Sequence, residues 1–153
     1  MKSLFTLFIF STLFSQESDI YLVAITVSDI QESSEFYSHS FDMKVETEMS
    51  FPDYQNLKIV ILTNSKFKLE LLSKDTSFPI TKYEPNYNIN KNPQIGFTKL
   101  AIFVNNFDSL YNRVNGKSIP ILYDKMKSNL NPKHSYFIIL DPDKNPIQIF
   151  GNS

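Results

Sequence analysis

The chain has no cysteine and no tryptophan, and its 153 residues include only three glycines and two histidines. Without cysteine there are no disulfides, no thiolate catalysis, no cysteine-based zinc site and no lipid-modified N-terminal Cys. Gly96, Gly116 and Gly151 are too few and too scattered for a P-loop or a GxGxxG dinucleotide loop. His39 and His134 alone do not support a site built mainly from imidazoles. Net charge is also small: 15 Lys and Arg against 16 Asp and Glu give −1, with a pI near 6.1. No cationic excess is available to displace counterions, so nucleic acid is not an expected partner.

What remains is an ordinary core-forming composition. Hydrophobic residues make up 42%, which excludes a disordered chain, and the length suits one domain. Fourteen Phe and eight Tyr supply the aromatics.

The N-terminus reads as a targeting segment. Met1-Lys2 precedes an uncharged apolar and hydroxyl run over 4–14, then Ser15-Gln16 and the polar Glu17-Ser18-Asp19. A basic start, a short apolar stretch and a small residue at the cut are the layout of a secretory signal peptide. The run is too short to cross ~30 Å of hydrocarbon as a stable helix. Residues 1–16 are therefore expected to be removed after Ser15 or Gln16. The mature domain, 17–153, would then be secreted or periplasmic, with no stable membrane span after cleavage.

The rest of the chain repeats. Leu22-Val23-Ala24-Ile25-Thr26-Val27-Ser28-Asp29-Ile30 aligns with Lys99-Leu100-Ala101-Ile102-Phe103-Val104-Asn105-Asn106-Phe107 at an offset of about 77 residues, sharing Ala-Ile-x-Val. Each run is β-rich and ends in Asp or Asn, good helix N-caps. Ile30, Tyr37 and Phe41 follow Asp29, with Glu32 placed for a capping box. Phe107, Leu110, Tyr111 and Val114 follow Asn106 as an i, i+3, i+4, i+7 stripe, and Gly116 is expected to cap that helix. Later strands are expected at 44–51, 57–63 and 66–73, and at 119–123, 135–140 and 146–150. Leu69-Glu70-Leu71 matches Ile147-Gln148-Ile149 at the far ends of the copies. Each half thus reads βαβββ, over about 19–73 and 97–151. A polar linker with three prolines (74–94) joins them, and a second loop (124–133) has the length of a functional lid.

Two βαβββ modules of this size resemble the vicinal oxygen chelate superfamily, which includes glyoxalase I, extradiol dioxygenases and the bleomycin- and fosfomycin-resistance proteins. Val27-Ser28-Asp29-Ile30 with Ser34-Glu35-Phe36-Tyr37 carries the resemblance at one end. Phe137-Ile138-Ile139-Leu140-Asp141-Pro142-Asp143-Lys144-Asn145-Pro146-Ile147-Gln148-Ile149 carries it at the other, and the match covers essentially all of 19–151. Asp42 and Lys144 depart from it, standing at turns where that family usually has glycine. The resemblance implies an α+β fold whose two modules form a cup-shaped, eight-stranded curved sheet. It also implies a homodimer.

In metal-dependent members the cup holds a divalent cation on His and Glu side chains from the first and last strands of each module. The corresponding positions here are Leu22, Glu70, Lys99 and Gln148. Leu22 has no lone pair, and Lys99 would have to lose a proton to ligate. One carboxylate and one amide do not make a tight site, so neither a metal nor another cofactor is expected. Strand alternation puts Leu22, Ala24 and Thr26 on the cup face, with Lys99, Ala101 and Phe103, and with Gln148 and Phe150. The candidate pocket is Leu22, Glu70, Lys99, Phe103 and Gln148, in which Lys99 anchors an anionic or carbonyl-bearing ligand. Alternatively, Lys99 and Glu70 simply pair and fill the vacated site. His134, in the second loop, is a further candidate contact.

Three functions follow from these residues. The first is a metal-free protein that binds a small, partly apolar molecule. The second is a lyase, isomerase or dioxygenase of the glyoxalase type with an atypical site, Glu70 being the candidate catalytic base. The third is a structural or interaction module whose own aromatics fill the cup.

Overall fold

The computed structural model describes residues 19–152; the expected signal segment, 1–16, lies outside them. The first half runs β1 (Val23–Thr26), α1 (Ile30–Phe41), β2 (Lys44–Phe51), β3 (Leu57–Thr63) and β4 (Lys68–Ser73). The second runs β5 (Leu100–Phe103), α2 (Phe107–Gly116), β6 (Ile121–Lys127), β7 (His134–Leu140) and β8 (Pro146–Asn152). The sheets have equivalent orders, β1-β4-β3-β2 and β5-β8-β7-β6, with a parallel pair at one edge and antiparallel pairs elsewhere. β1 and β5 therefore occupy matching places, as the repeat requires. The fold is α+β, as expected, but the eight strands do not form one continuous sheet. Among the described residues, no strand of one four-stranded sheet pairs with a strand of the other.

Alternation decides which face each helix covers. On β4, Leu69 and Leu71 are fully buried, and on β8 so are Ile147 and Ile149. Each such side chain contributes about 1.5–3 kcal/mol by leaving water. They join Tyr37, Phe41, Phe107, Leu110 and Val114 from the two helices in one core. Val23, Ile25 and Val27 follow the same rule, while Ala24 and Thr26 stay exposed on the helix-free face. Gly151 is needed here, because a Cβ would overlap the Phe107 ring of α2.

Several boundaries differ from the sequence expectation, each for a local reason. β4 starts at Lys68 rather than residue 66, because the Asn64 side chain accepts from the Lys66 and Phe67 amides at 2.9 and 3.2 Å and holds a turn. β6 starts at Ile121, because the Ile119 amide still bonds to Val114 O of α2. It then continues to Lys127, so the expected 124–133 loop shrinks to 128–133. Two register irregularities, between Ile121 and Tyr123 and between Tyr123 and Met126, break the period-two pattern that would have marked the strand. Gly116 does not cap α2: it is the last helical residue, Lys117 is the C-cap, and Ser118 carries the positive φ of 55°. Asp29 caps α1 by accepting from the Gln31 and Glu32 amides, whereas Asn106 makes no side-chain cap.

The linker is tied down at intervals. The Asp75 amide bonds to Gln55 O, Thr76 donates to the Gln55 side chain, and the Tyr123 hydroxyl donates to Asn90 at 2.8 Å. Among the described residues, no helix is long and apolar enough to cross a membrane.

Candidate functional site

The site is built from equivalent positions on the helix-free faces of the two sheets. Register pairs Ala24 with Glu70, and Glu70 in turn with Ile61. The second sheet repeats this as Ala101 with Gln148, and Gln148 with Ile138. Leu22 lies just before β1 and Lys99 just before β5, each two residues from the Ala of its strand and so on the same face. The register thus puts Glu70 and Gln148 at equivalent positions of the two sheets. Glu70 is half-buried, Gln148 is buried, Leu22 is half-buried and Lys99 is exposed.

Glu70 and Lys99 form no ion pair. Among the described residues, the salt bridges given are Lys68 to Glu46 and Lys125 to Asp108, both at exposed or partly exposed positions. Among the described residues, neither Glu70 nor Lys99 takes part in any further polar contact. The expected pair, which would have filled the site, is not made within one chain. Among the described residues, no group of three or more His, Asp or Glu side chains is gathered as a metal ion would require.

A concavity occurs on the helix-free face of the second sheet. A pocket of about 280 Å³ is lined by Ala101, Phe103, Ser128, Leu130, His134 and Phe150, with Ile102 contributing from the strand. The Phe103 and His134 rings meet edge to face at 5.0 Å, and Tyr136 lies 5.5 Å from Phe150. Of the candidate pocket residues, Phe103 is part of this wall, whereas Leu22, Glu70, Lys99 and Gln148 do not line it. His134 begins β7 and lines the pocket from there. Ser128 and Leu130 were not singled out from sequence by name, although their loop was marked by its length as a functional lid.

The other arrangement of titratable groups holds the two repeats together. Tyr37 of α1 is fully buried, and its hydroxyl donates to Asp141 Oδ2 at 2.8 Å. Asp141 also accepts from the Asn145 amide at 2.7 Å and its side chain at 2.9 Å. Next to it, Asp143 Oδ2 accepts from the Ser28 amide at 3.0 Å. Burial pushes the Asp141 carboxyl above the usual range, against the lowering effect of its donors. Burial and the nearby Asp141 push the Tyr37 phenol up, so it remains a donor. Arg113 of α2 adds a bond to Ser40 O at 2.9 Å. The Asp-Pro-Asp-Lys-Asn turn is thus an inter-module clamp.

Comparison with known proteins fits this architecture. Residues 20–149 match the family model of the Glyoxalase/Bleomycin resistance protein/Dioxygenase superfamily. A glyoxalase family protein from Enterococcus faecalis superposes with a TM-score of 0.70 at 21% identity, covering 86% of this chain and 96% of that one. A glyoxalase family protein from Bacillus cereus gives 0.73 at 11% identity, covering 93% and 99%. The trypanothione-dependent glyoxalase I of Leishmania major gives 0.66 at 20% identity, covering 88% and 87%. At such identities these likenesses show the fold alone. No curated protein matches the chain. With the family model spanning nearly all of the described residues, and two equivalent βαβββ repeats beneath it, the chain belongs to the Glyoxalase/Bleomycin resistance protein/Dioxygenase superfamily.

Proposed function

We propose that this protein binds a small, partly apolar molecule between its two sheets without a metal ion, and that it does so after export from the cell. The observation that carries this reading is the character of the helix-free faces. The four positions where this family's cation would be held are Leu22, Glu70, Lys99 and Gln148, and the concavity on the second sheet is walled by Phe103, Phe150 and His134. A divalent ion needs several lone pairs and little positive charge nearby. Leu22 offers neither nitrogen nor oxygen, and Lys99 brings a cation of its own. The donor set therefore does not fit a divalent metal. In this reading Lys99 faces an anionic or carbonyl group of the ligand, while Glu70 and Gln148 orient it from the sheet floors.

Export rests on the layout of residues 1–16, and a homodimer rests on likeness to the family. Intact-mass measurement of the protein secreted by its own host tests the first, with a mature N-terminus near Gln16 or Glu17 expected. Light scattering tests the second.

A catalytic reading rests on Glu70. It is half-buried on the helix-free face beside Ala24, and no ion pair in the described residues neutralises it. A carboxylate in that position is placed to accept a proton from a bound substrate, as a lyase or isomerase would need.

Elemental analysis of carefully purified protein, combined with a thermal-shift screen of small organic acids and neutral aromatics, separates the readings. Metal-free protein whose melting temperature rises with a ligand supports binding, since a ligand that binds the native state alone stabilises it. Stoichiometric zinc, iron, manganese or nickel, lost together with activity in Glu70→Ala, would overturn the metal-free reading.

A further inference from the structure

We propose that the ligand is a small aromatic anion whose ring is seated in the second-sheet pocket, against Phe103, Phe150 and His134, with its charge facing Lys99. This rests on the binding reading above and gives it a chemical class.

The argument starts from an asymmetry within the repeat. Thr26 pairs with Leu72 at the end of β1, and the equivalent pair at the end of β5 is Phe103 with Phe150. The same backbone frame therefore presents a hydroxyl and an aliphatic side chain in one half, and two aromatic rings in the other. Ala24 and Ala101 match, so the floor is equally low in both halves. The pocket on this face follows the aromatic pair and is found on the second sheet. Its chemistry is a property of these substitutions, not of the shared fold.

Phe103 is 48% exposed and Leu130 is 88% exposed at the pocket. Large apolar side chains left in water around a concavity gain from being covered. The volume of about 280 Å³ lies just under the usual small-molecule range of ~300–1,000 Å³, which suits one ring with a short substituent. Aromatic pairs favour edge-to-face or offset contacts at centroid separations of ~4.5–7 Å. The Phe103–His134 contact at 5.0 Å and the Tyr136–Phe150 contact at 5.5 Å already have that spacing. A further ring can join them by the same contacts.

Two polar features give the ring its substituent. Asn131 Nδ2 lies 3.3 Å from His134 Nε2. With the amide donating there, Nδ1 is the ring nitrogen that carries a proton, and no described residue accepts from it. It is left to donate to an oxygen on the ligand. Lys99 lies two residues before Ala101 on the same face, about 6.6 Å along the strand. Its four-carbon stem spans that distance, and among the described residues it has no ion-pair partner. A ring in the pocket with a carboxylate directed along β5 therefore meets an unpaired cation.

The test uses benzoate, its saturated analogue cyclohexanecarboxylate, and neutral benzyl alcohol as probes. Amide chemical shifts of the mature protein would be followed during titration, for the wild type, Lys99→Met and Ala101→Leu. Ala101 is exposed, so the larger side chain fills the pocket without disturbing the core. The expected result is that benzoate shifts Ala101, Phe103, His134 and Phe150, and binds more tightly than either analogue. Lys99→Met should weaken benzoate about tenfold, as loss of one charge-assisted contact does, and bring it level with benzyl alcohol. Ala101→Leu should abolish the shifts. Shifts centred on Glu70 and Ala24 instead would overturn this pocket while leaving a binding protein. Equal affinity for benzoate and cyclohexanecarboxylate would overturn the aromatic assignment. No shift on either helix-free face with any of the three would overturn the pocket and count against small-molecule binding itself.

Discussion

The Tyr37 hydroxyl donates to Asp141 Oδ2 at 2.8 Å, joining two residues 104 positions apart and, with them, the two repeats. The bond is buried, so neither partner can exchange it for water. Tyr37→Phe keeps the ring packed against Phe36 and Phe41 but leaves Asp141 with only its Asn145 donors. A hydrogen bond to a carboxyl in such a place is worth about 1.5–3 kcal/mol net. Urea unfolding of Tyr37→Phe should show a loss of that size. A change under about 0.5 kcal/mol would mean the clamp lies elsewhere.

Asp141 should also leave a signature in pH. Burial raises its folded carboxyl above the unfolded value of about 3.9. A group raised in this way favours folding fully below its unfolded pKa, and that contribution is lost as pH rises through the folded pKa. Wild-type stability minus that of Asp141→Asn should therefore fall as pH rises from about 4 toward 7. Taking the difference cancels the other titrating groups to first order. A difference that stays flat, or rises, across that range would show that the donors outweigh burial.

How far the sequence foretold this molecule depended on how many residues shared each signal. The repeat was legible because it is written several times over: Ala-Ile-x-Val in both first strands, Leu-Glu-Leu against Ile-Gln-Ile in both last strands, and the amphipathic stripe of the second helix. Period-two alternation then marked Ala24 and Ala101 as exposed, away from the helices. Less was legible where single side chains decide the outcome. The Asn64 turn shortened β4 through two hydrogen bonds, and two bulges hid the end of β6 inside an apparent loop. Whether Glu70 meets Lys99 was not legible at all, because alternation fixes a face but not the distance between two sheets. Nor did the Asp-Pro-Asp-Lys-Asn turn announce its contact with α1, although its acidic residues sit where a buried donor can reach them.

Gly151 offers a sharper test of packing. An added Cβ would overlap side-chain atoms of Phe107, the first residue of α2, which is itself buried against Phe137. The ring has no free space to enter, so Gly151→Ala should force α2 outward at a cost of about 1–3 kcal/mol. Gly116→Ala is the control: a Cβ there meets nothing within 4 Å and the residue ends a helix without a positive φ. It should be neutral or stabilising, by up to about 1 kcal/mol. Thermal unfolding of the two variants should move in opposite directions, or at least differ by several degrees.

Asp42 and Lys144 occupy left-handed backbone, at φ of 51° and 67°. Both are turn positions where the family usually has glycine, and a lysine there bears steric strain of about 1–2 kcal/mol. Glycine removes that strain but adds freedom to the unfolded chain, which offsets part of the gain. Lys144→Gly should therefore stabilise by roughly 0.5–1 kcal/mol. Asp42→Gly should gain less, because aspartate tolerates this region better than lysine does. Denaturant midpoints of the two single variants check the order, and a loss of stability in Lys144→Gly would mean its side chain makes a contact worth more than the strain.

Lys99 and Glu70 provide the last test, and it separates a filled site from an open one. Lys99 is exposed and, among the described residues, has no ion-pair partner, so in an isolated chain Lys99→Met should change stability by no more than about 0.5 kcal/mol. Glu70→Gln should then add to it independently, with a coupling energy within about 0.3–0.5 kcal/mol of zero. A buried pair would behave otherwise, because removing one charge strands the other at a cost of about 3–5 kcal/mol. The cycle should be measured in urea at several protein concentrations. Coupling that appears only at high concentration would mean that a second copy brings the two groups together. Coupling at every concentration would mean that the sheets close within one chain. Its absence at every concentration leaves Lys99 free for an anionic ligand, and saturating benzoate should then stabilise the wild type by about 1.4 kcal/mol more than Lys99→Met, as a tenfold difference in affinity requires.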